Sequence, residues 1–295
     1  KCNPHWHLGR VYLSPHGGWP LINNTKPASV KRRGKNCYDL LDQRKRLGAV
    51  ASKETFVGRR KQTKQALKAF DKKSTSGVLL TGIGGTGKSS LAARIVHRME
   101  RECKLALIYQ NYTEIAILDE LKQFLPAKIR DQNFPRYMED IKKSPEAFVD
   151  NLVEILEDFL SESPVVIVVD DLEQHVLEPL AEASSKGVGV KKNYQNALLG
   201  LIGAFKRADT RSHLLLTSRH SFYLLNNDGQ NVAEDLQEIQ VPDMNKTEQE
   251  IYWLALLQTG LAIPERDCEQ DRSLLQKIRE ISSGNPGMQN VLYQP

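Results

Sequence analysis

The 295-residue sequence contains no apolar run that approaches the roughly 20 residues needed to cross a membrane. Its first few dozen residues also lack the apolar core of a signal peptide. The four cysteines, Cys2, Cys37, Cys103 and Cys268, have no paired spacing, which favours a reducing compartment over a disulfide framework. We therefore expect a cytoplasmic protein with no membrane partner. Because the first residue is Lys1 rather than Met, we also expect a fragment or processed form of a longer chain.

Positive charge is concentrated in one segment. Between Lys26 and Lys64 there are 13 basic and 3 acidic residues, a local charge of +10, whereas the whole chain carries +5. Such a segment fits either a contact with nucleic acid or another acidic surface, or a solvated linker. Because no interleaved aromatic residues and no nucleic-acid-binding motif accompany the charge, we favour the linker.

The chain divides into three predicted regions. Residues 1–50 are rich in proline, glycine and basic side chains, which indicates the tail of an upstream domain followed by a basic linker. Residues 51–242 alternate strand and helix signals, as in a parallel α/β domain. Residues 243–295 contain only helix-like segments, which predicts a small helical subdomain.

Five apolar runs in the central region predict strands. Nearly unbroken apolar character is typical of parallel strands that are covered by helices on both faces. The predicted strands are Gly77 to Thr81, Lys104 to Tyr109, Val165 to Asp170, His213 to Thr217 and Glu238 to Val241.

The stretch "GIGGTGKSS" fits the pattern G-x-x-x-x-G-K-S between the first strand and an amphipathic helix. Its glycines allow backbone N–H groups to converge on a polyphosphate at the positive end of the helix. Lys88 would neutralise the β and γ phosphates, and the Ser89 hydroxyl would ligate Mg²⁺. The predicted nucleotide-binding residues of this phosphate loop are Gly82, Gly84, Gly85, Thr86, Gly87, Lys88, Ser89 and Ser90.

Two aspartates follow the strand "PVVIVV", at a position where parallel strands end on one edge of the sheet. Asp170 is a candidate Mg²⁺ ligand through the water shell of the ion, and Asp171 a candidate for orienting or deprotonating the attacking water. The alternative for either residue is that it caps the next helix. Glu173 is a weaker candidate for the role of Asp171. Arg219 ends the run "HLLLTSR" and could sense the γ-phosphate through a charge-assisted bond.

Five motifs in order, "FVGRRKQ", "GIGGTGKSS", "VVIVVDD", "LLLTSR" and "SGNPG", resemble the STAND NTPases, which are signalling ATPases of the NB-ARC and NACHT type. The resemblance covers about Lys53 to Gln294. It implies an α/β fold with a parallel five-stranded sheet in the order 2-3-4-1-5, flanked by helices and followed by a helical lid.

The resemblance also implies roles for single residues. Val57, Gly58 and Arg59 would lie on the adenine side of the nucleotide. Arg219 would be the first sensor of the γ-phosphate, and Pro286 on the lid would contact the base or sugar in a closed ADP state.

The sequence departs from the STAND pattern in places. Arg60 occupies a position where these proteins often have an acidic residue. The sequence stops shortly after "GNPG", so we expect the winged-helix and sensor regions to lie outside it. The N-terminal "WHLGRVYL" and "GGWPLI" resemble the last strands of a CHAT module, which precedes such ATPases in some bacterial proteins. We interpret Cys2 and the nearby histidines as scattered residues and not as a metal site.

Three functions are compatible with these motifs. The leading hypothesis is an ATP/ADP switch of a STAND signalling protein, with slow Mg²⁺-dependent hydrolysis, a closed ADP state and ATP-driven self-association. We expect it to act in defence or cell-death signalling, with effector and sensor domains outside this sequence. The alternatives are an AAA+ or initiator-type ATPase that acts on DNA or protein, and a nucleotide-binding scaffold without hydrolysis.

Overall fold

A parallel five-stranded sheet forms the centre of the computed structural model, which describes residues 51–258, except 52, 54, 73, 145 and 181–186, and residues 269–293. Numbered along the chain, the five strands lie side by side in the order 2-3-4-1-5, and every neighbouring pair is parallel. The α/β fold and its predicted strand order are therefore confirmed.

Helices connect the strands of the sheet. Its strands are β1 (Gly77–Thr81), β2 (Lys104–Ile108), β3 (Val165–Val169), β6 (His213–Ser218) and β7 (Leu236–Gln240). Helix α1 (Arg60–Phe70) precedes the sheet and α2 (Lys88–Met99) follows β1. Between β2 and β3 lie α3 (Glu114–Lys122), α4 (Ala127–Gln132), α5 (Phe134–Lys143) and α6 (Ala147–Glu154), which continues as a π-helical turn, Ile155–Phe159.

A short insertion follows β3. It consists of α7 (Leu172–His175) and the antiparallel pair β4 (Leu177–Pro179) and β5 (Val188–Val190). Helix α8 (Lys192–Arg207) then leads to β6, and a 3₁₀ turn (Val232–Asp235) leads to β7. Three helices come after the sheet, α9 (Lys246–Gln258), α10 (Glu269–Ser282) and α11 (Pro286–Tyr293). We call these helices the lid, together with residues 243–245 before them and the turn 283–285 between the last two.

Alternate residues of the central strands enter two apolar cores. Ile167 of β3 packs into the core under α5, α6 and α8, whereas its neighbours Val166 and Val168 pack into the core under α1 and α2. Both faces of β3 are buried, which explains its unbroken apolar sequence. The edge strands β2 and β7 differ, since exposed residues occur within them.

Strand β1 has the predicted bounds, whereas each of the other four strands has at least one end that differs from the prediction by one or two residues. Tyr109 and Asp170 lie just past the ends of β2 and β3, because the chain turns there towards the site. Strand β6 extends through Ser218, and β7 begins two residues earlier than predicted and ends at Gln240. The apolar run had placed β7 too late, because an edge strand alternates buried and exposed positions.

The predicted tail and linker, residues 1–50, lie outside the described residues. The sheet and the lid belong to one compact unit, so the division at residues 242 and 243 stays a prediction. Among the helices of the described residues, none is long and apolar enough to cross a membrane. Within the same residues no cluster of three or more histidine, cysteine, aspartate or glutamate side chains could hold a metal ion.

Two glycines of α8 provide a test of how tightly this helix packs on α6. A Cβ at Gly200 would lie 2.4 Å from the ring of the buried Phe148, whereas a Cβ at Gly203 would meet nothing within 4 Å. We expect Gly203→Ala to stabilise the protein by about 0.5–1 kcal/mol, because alanine favours the helix. Gly200→Ala should instead destabilise it by about 1–3 kcal/mol through overpacking. Urea unfolding of both variants measures the difference, and equal stabilisation by both would contradict the observed packing.

Candidate active site

The predicted functional residues gather around one cavity of about 780 Å³. The cavity lies at the carboxyl edge of the sheet and is closed on one side by the lid. Of the predicted residues, those that line it are Val57, Arg59, Gly84, Gly85, Thr86, Gly87, Lys88, Ser89, Ser90, Asp171, Glu173, Arg219 and Pro286. Gly58, Gly82 and Asp170 lie beside the cavity wall and do not line it.

The phosphate loop joins β1 to α2. Gly87 is the N-cap of α2, has a left-handed backbone with φ 90°, and offers no side chain to cap the helix. The first N–H groups of α2 therefore have no capping side chain, as in helix N-termini that bind phosphate. A Cβ at Gly87 would meet no heavy atom within 4 Å, so its left-handed conformation explains the glycine better than crowding does. The loop accordingly fits a polyphosphate.

Lys88 is folded back onto its own loop. Its Nζ donates hydrogen bonds to the carbonyl oxygens of Gly82, at 2.7 Å, and Ile83, at 3.1 Å. Burial lowers the pKa of Lys88, and the nearby Glu173 carboxylate opposes this shift. Gly82 thus contributes a carbonyl that holds the lysine, and its predicted contact with nucleotide stays a prediction.

Ser89 and Asp170 form the part of the site suited to a metal ion. The Ser89 hydroxyl donates to Oδ1 of Asp170 at 3.0 Å, and the Thr217 hydroxyl donates to the same oxygen. Asp170 is only 1% exposed, which fixes the carboxylate behind the two hydroxyl groups. A serine hydroxyl beside a carboxylate is an oxygen donor set that fits Mg²⁺.

Asp171 adopts an unusual backbone conformation at the end of β3. Its φ of 69° lies in the left-handed region, and the residue is 5% exposed. It is the N-cap residue of α7, but its side chain makes no capping hydrogen bond to that helix. The structure therefore does not support the alternative that Asp171 serves as a side-chain cap, and its role towards water stays a prediction.

Arg219 is paired with Glu173. The Nε of Arg219 donates to Oε1 of Glu173 at 3.0 Å, and the Arg219 backbone N–H donates to Oε2 at 3.2 Å. The Arg219 side chain is 48% exposed and that of Glu173 only 10%. The guanidinium also approaches the phosphate loop, because a Cβ at Gly84 would lie 3.3 Å from its Cζ. Arg219 thus lies between a carboxylate and the loop that would hold the phosphates.

Arg59 links the segment before α1 to both the phosphate loop and the lid. Its guanidinium donates to the carbonyl of Thr86 at 3.1 Å and to that of Asp243 at 3.5 Å. Burial lowers the pKa of Arg59, and Glu248 and Asp243 oppose the shift. Gly58 faces the lid rather than the cavity, since a Cβ there would fall 2.2 Å from Oε1 of Glu248.

The lid contacts the phosphate loop directly. Nδ2 of Asn285 donates to the carbonyl of Gly84 at 2.8 Å, and the backbone N–H of Gly287 donates to the carbonyl of Gly85 at 2.9 Å. Pro286, between these residues, is the first residue of α11 and lines the cavity. The motif "SGNPG" therefore touches the phosphate loop through the two neighbours of the predicted proline.

Residues 55–218, more than half of the chain, match the AAA ATPase domain family. The chain belongs to this family. It is an ATPase with a P-loop nucleotide-binding fold. No curated protein matches the chain.

Two solved structures resemble this ATPase domain in part. Domain III of the replication initiation protein DnaA from Thermotoga maritima has 13% identity and a TM-score of 0.43, over 85% of this chain and all of that chain. PCH-2 of C. elegans has 16% identity and a TM-score of 0.42, over 80% of this chain and 62% of that chain.

Several residues of the candidate site were not predicted from the sequence. Asn285 and Thr217 lie within motifs in which the predicted contacts were those of Pro286 and Arg219. A polar residue inside the buried run "LLLTS" was the available signal for Thr217, because buried hydroxyl groups need partners. Tyr112 gave no comparable signal, since its partner Asp170 is distant in sequence.

The pair of Arg219 and Glu173 should make ATP binding less favourable, because the γ-phosphate and the carboxylate compete for one guanidinium. We expect Glu173→Gln to strengthen binding of a non-hydrolysable ATP analogue about two- to fivefold relative to ADP, since a half-exposed pair contributes about 0.5–1 kcal/mol. Isothermal titration calorimetry with both nucleotides measures this ratio.

Glu178→Gln is the matched control for Glu173→Gln. It makes the same change in charge at an exposed residue of β4, outside the cavity lining. An unchanged ratio in Glu173→Gln, or an equal increase in both variants, would contradict competition for Arg219.

Proposed function

We propose that this ATPase domain is the ATP/ADP switch of a STAND-type signalling protein. In this proposal it hydrolyses ATP slowly, rests in a closed ADP state and opens to self-associate when ATP replaces ADP. The observation that carries the proposal is the pair of hydrogen bonds from Asn285 and Gly287 to the carbonyl groups of the phosphate loop. A lid bonded to the loop that holds phosphates is able to respond to what the loop binds.

The chain's own residues are suited to bind ATP with Mg²⁺. Lys88 would exchange its two carbonyl partners for phosphate oxygens, and the N-terminus of α2 would supply further N–H donors. Ser89 and Asp170 would hold Mg²⁺, with Asp170 acting through water ligands. When bound, the metal ion would neutralise phosphate charge during in-line attack by water. Asp171, or Glu173 in the weaker alternative, would orient that water.

The base would lie between the segment before α1 and the lid. Val57 packs with Met244, Tyr252 and Trp253, so the same residue lines the cavity and joins the lid's apolar cluster. A base seated against Val57 and Pro286 would connect the sheet to the lid. This placement supports the proposed adenine and sugar contacts of Val57, Arg59 and Pro286.

A ligand can shift a conformational equilibrium only if it binds the two states with different affinity. Arg219 and Glu173 provide such a difference at the γ-phosphate, which ADP lacks. Binding of ATP would draw Arg219 from Glu173 and add negative charge near a loop whose carbonyl groups hold the lid. The closed state would then be favoured by ADP more than by ATP.

The partners of the switch are also part of the proposal. We infer self-association in the ATP state, and effector and sensor domains elsewhere in the full-length protein, in a cytoplasmic defence or cell-death pathway. Nucleic acid is the less favoured partner of the basic segment.

The lid contacts predict a specific defect in ADP retention. Asn285→Ala removes the neutral hydrogen bond of about 1 kcal/mol to the phosphate loop, together with the bond that its Oδ1 accepts from the backbone N–H of Met288 in the first turn of α11. We therefore expect ADP to dissociate at least about fivefold faster. Stopped-flow release of a fluorescent ADP analogue measures this rate, and the nucleotide retained after gel filtration gives a second readout.

Two variants control the ADP-release experiment. Gln276→Ala alters an exposed lid residue whose amide donates to Glu280 within the same helix, so ADP release should be unchanged. Lys88→Ala should abolish binding of both nucleotides. Unchanged ADP release in Asn285→Ala would argue against a latch formed by the lid, whereas intact binding in Lys88→Ala would argue against the phosphate site itself.

The match to the AAA ATPase domain family favours a second candidate, an AAA+ or initiator-type ATPase that acts on DNA or protein. Such an enzyme would turn over continuously and would be stimulated by its polymer substrate. Steady-state hydrolysis with and without duplex and single-stranded DNA separates the candidates. We expect slow turnover that DNA does not change. Stimulation of the hydrolysis rate by about tenfold or more, which approaches the contribution of a catalytic group, would instead favour the second candidate.

A further inference from the structure

The peptide unit between Asp170 and Asp171 is held on both of its polar sides. The hydroxyl of Tyr112 donates to the carbonyl oxygen of Asp170 at 2.8 Å. The N–H of the same peptide unit, which belongs to Asp171, donates to Oγ1 of Thr217 at 2.9 Å. One peptide plane is therefore fixed between a tyrosine from the β2–α3 connection and a threonine from β6.

The orientation of this peptide plane determines the direction in which the Asp171 side chain leaves the backbone. Strand β3 ends at Val169, and Asp171 turns the chain into α7 with a φ of 69°. The left-handed conformation is less favourable than the right-handed one for residues other than glycine, although aspartate tolerates it better than most, so surrounding contacts help to hold it. The bonds from Tyr112 and Thr217 are placed to do this, because they act on the plane that immediately precedes the strained residue.

Tyr112 is itself firmly held. It is fully buried, its ring makes an edge contact with Tyr194 at 6.1 Å between centroids, and the next residue, Thr113, caps α3. A buried tyrosine hydroxyl usually finds a hydrogen-bond partner, and the Tyr112 hydroxyl donates to the peptide carbonyl of Asp170 at the site. These contacts hold the Tyr112 side chain in one position.

Tyr112 does not line the cavity, whereas Asp171 and Thr217 do. A role for Tyr112 must therefore act through the peptide plane. We propose that Tyr112 and Thr217 are positioning residues that clamp the Asp170–Asp171 peptide and thereby aim the Asp171 carboxylate at the attacking water. This inference rests on the ATPase activity and on the proposed role of Asp171, and it is independent of the ADP latch.

The two clamp residues should have different signatures. Thr217 also donates to the carboxylate of Asp170, so it acts on the metal-binding part of the site as well. The Tyr112 hydroxyl donates to backbone oxygen atoms of the two aspartates, at 2.8 Å and 3.5 Å. Loss of the Tyr112 hydroxyl should therefore slow hydrolysis without weakening the contribution of Mg²⁺ to nucleotide binding.

Tyr112→Phe removes the hydroxyl and keeps the ring. We expect the single-turnover rate of ATP hydrolysis to fall about tenfold, because small misplacements of catalytic groups cost rate steeply. The dissociation constant of a fluorescent ADP analogue, measured with Mg²⁺ and with EDTA, should stay within about twofold of the wild-type value. The reason is that the lost hydrogen bond contributes to the transition state and not to nucleotide binding.

Tyr137→Phe is the matched control, because Tyr137 is also fully buried but lies in α5, away from the cavity lining. Thermal unfolding of both variants measures any general loss of stability. An equal loss of rate in both variants, or a loss of rate in Tyr112→Phe that follows weaker nucleotide binding, would overturn the proposal.

A Thr217 series tests the other side of the clamp. Thr217→Ser keeps the hydroxyl and should restore most of the rate that Thr217→Val loses. Thr217→Val should also reduce the ratio of nucleotide affinities with and without Mg²⁺, because Asp170 loses a donor. Equal rates in the serine and valine variants would show that the hydroxyl does not position the peptide.

The decisive measurement combines Tyr112→Phe with Asp171→Asn. If Tyr112 acts through Asp171, loss of its hydroxyl should lower the single-turnover rate by less than about twofold in the Asp171→Asn background. The reason is that the effects of residues that act as one unit are not additive. A full loss of about tenfold in the single-turnover rate in that background would overturn the proposal. Failure of the switch proposal would instead appear in the ADP-release rates of the lid variants, which this experiment does not use.

Discussion

The carboxylate of Asp170 connects the elements on which the site depends. One of its oxygens accepts hydrogen bonds from Ser89 at the start of α2 and from Thr217 near the end of β6. The residue itself follows β3, so a single buried group ties the phosphate loop to two central strands. Buried carboxylates are costly unless they are hydrogen-bonded, which makes this arrangement sensitive to the loss of either hydroxyl. Parallel strands make it available, because their carboxyl ends meet at one edge of the sheet.

A second set of contacts joins this edge to the lid. Asn245 and Glu248 form a capping box at the start of α9, in which each side chain accepts the backbone N–H of the other. The same glutamate accepts the backbone N–H of Arg59, and Arg59 in turn bonds to the phosphate loop. With the bonds from Asn285 and Gly287, the lid is thus linked to the loop from both ends of its sequence. Arg59, the phosphate loop and the lid are therefore connected by hydrogen bonds into one unit.

Much of the fold could be predicted because its signals are local. Strand β3 has five consecutive buried apolar residues, and the glycine-rich turn between β1 and α2 fits a known pattern, so both were found. Strand β7 was placed two residues late, since an edge strand exposes part of its surface and its apolar run is interrupted. The phosphate loop, the two aspartates and Arg219 could be named from their positions at strand ends. The partners of Asn285, Thr217 and Tyr112 could not be predicted, because each partner lies far away in sequence.

The sequence by itself determined the class of the protein: a parallel α/β ATPase domain with a phosphate loop and acidic residues at a strand end. Those features follow from hydrophobic periodicity and from glycine and lysine at fixed spacing, which are short-range properties of the chain. Only the tertiary structure decided that Arg219 pairs with Glu173, that Asn285 holds the phosphate loop, and that Tyr112 and Thr217 hold one peptide plane. The physical reason is that hydrogen bonds and ion pairs require distances of about 3 Å. Packing of the sheet and the lid, rather than spacing along the chain, sets those distances.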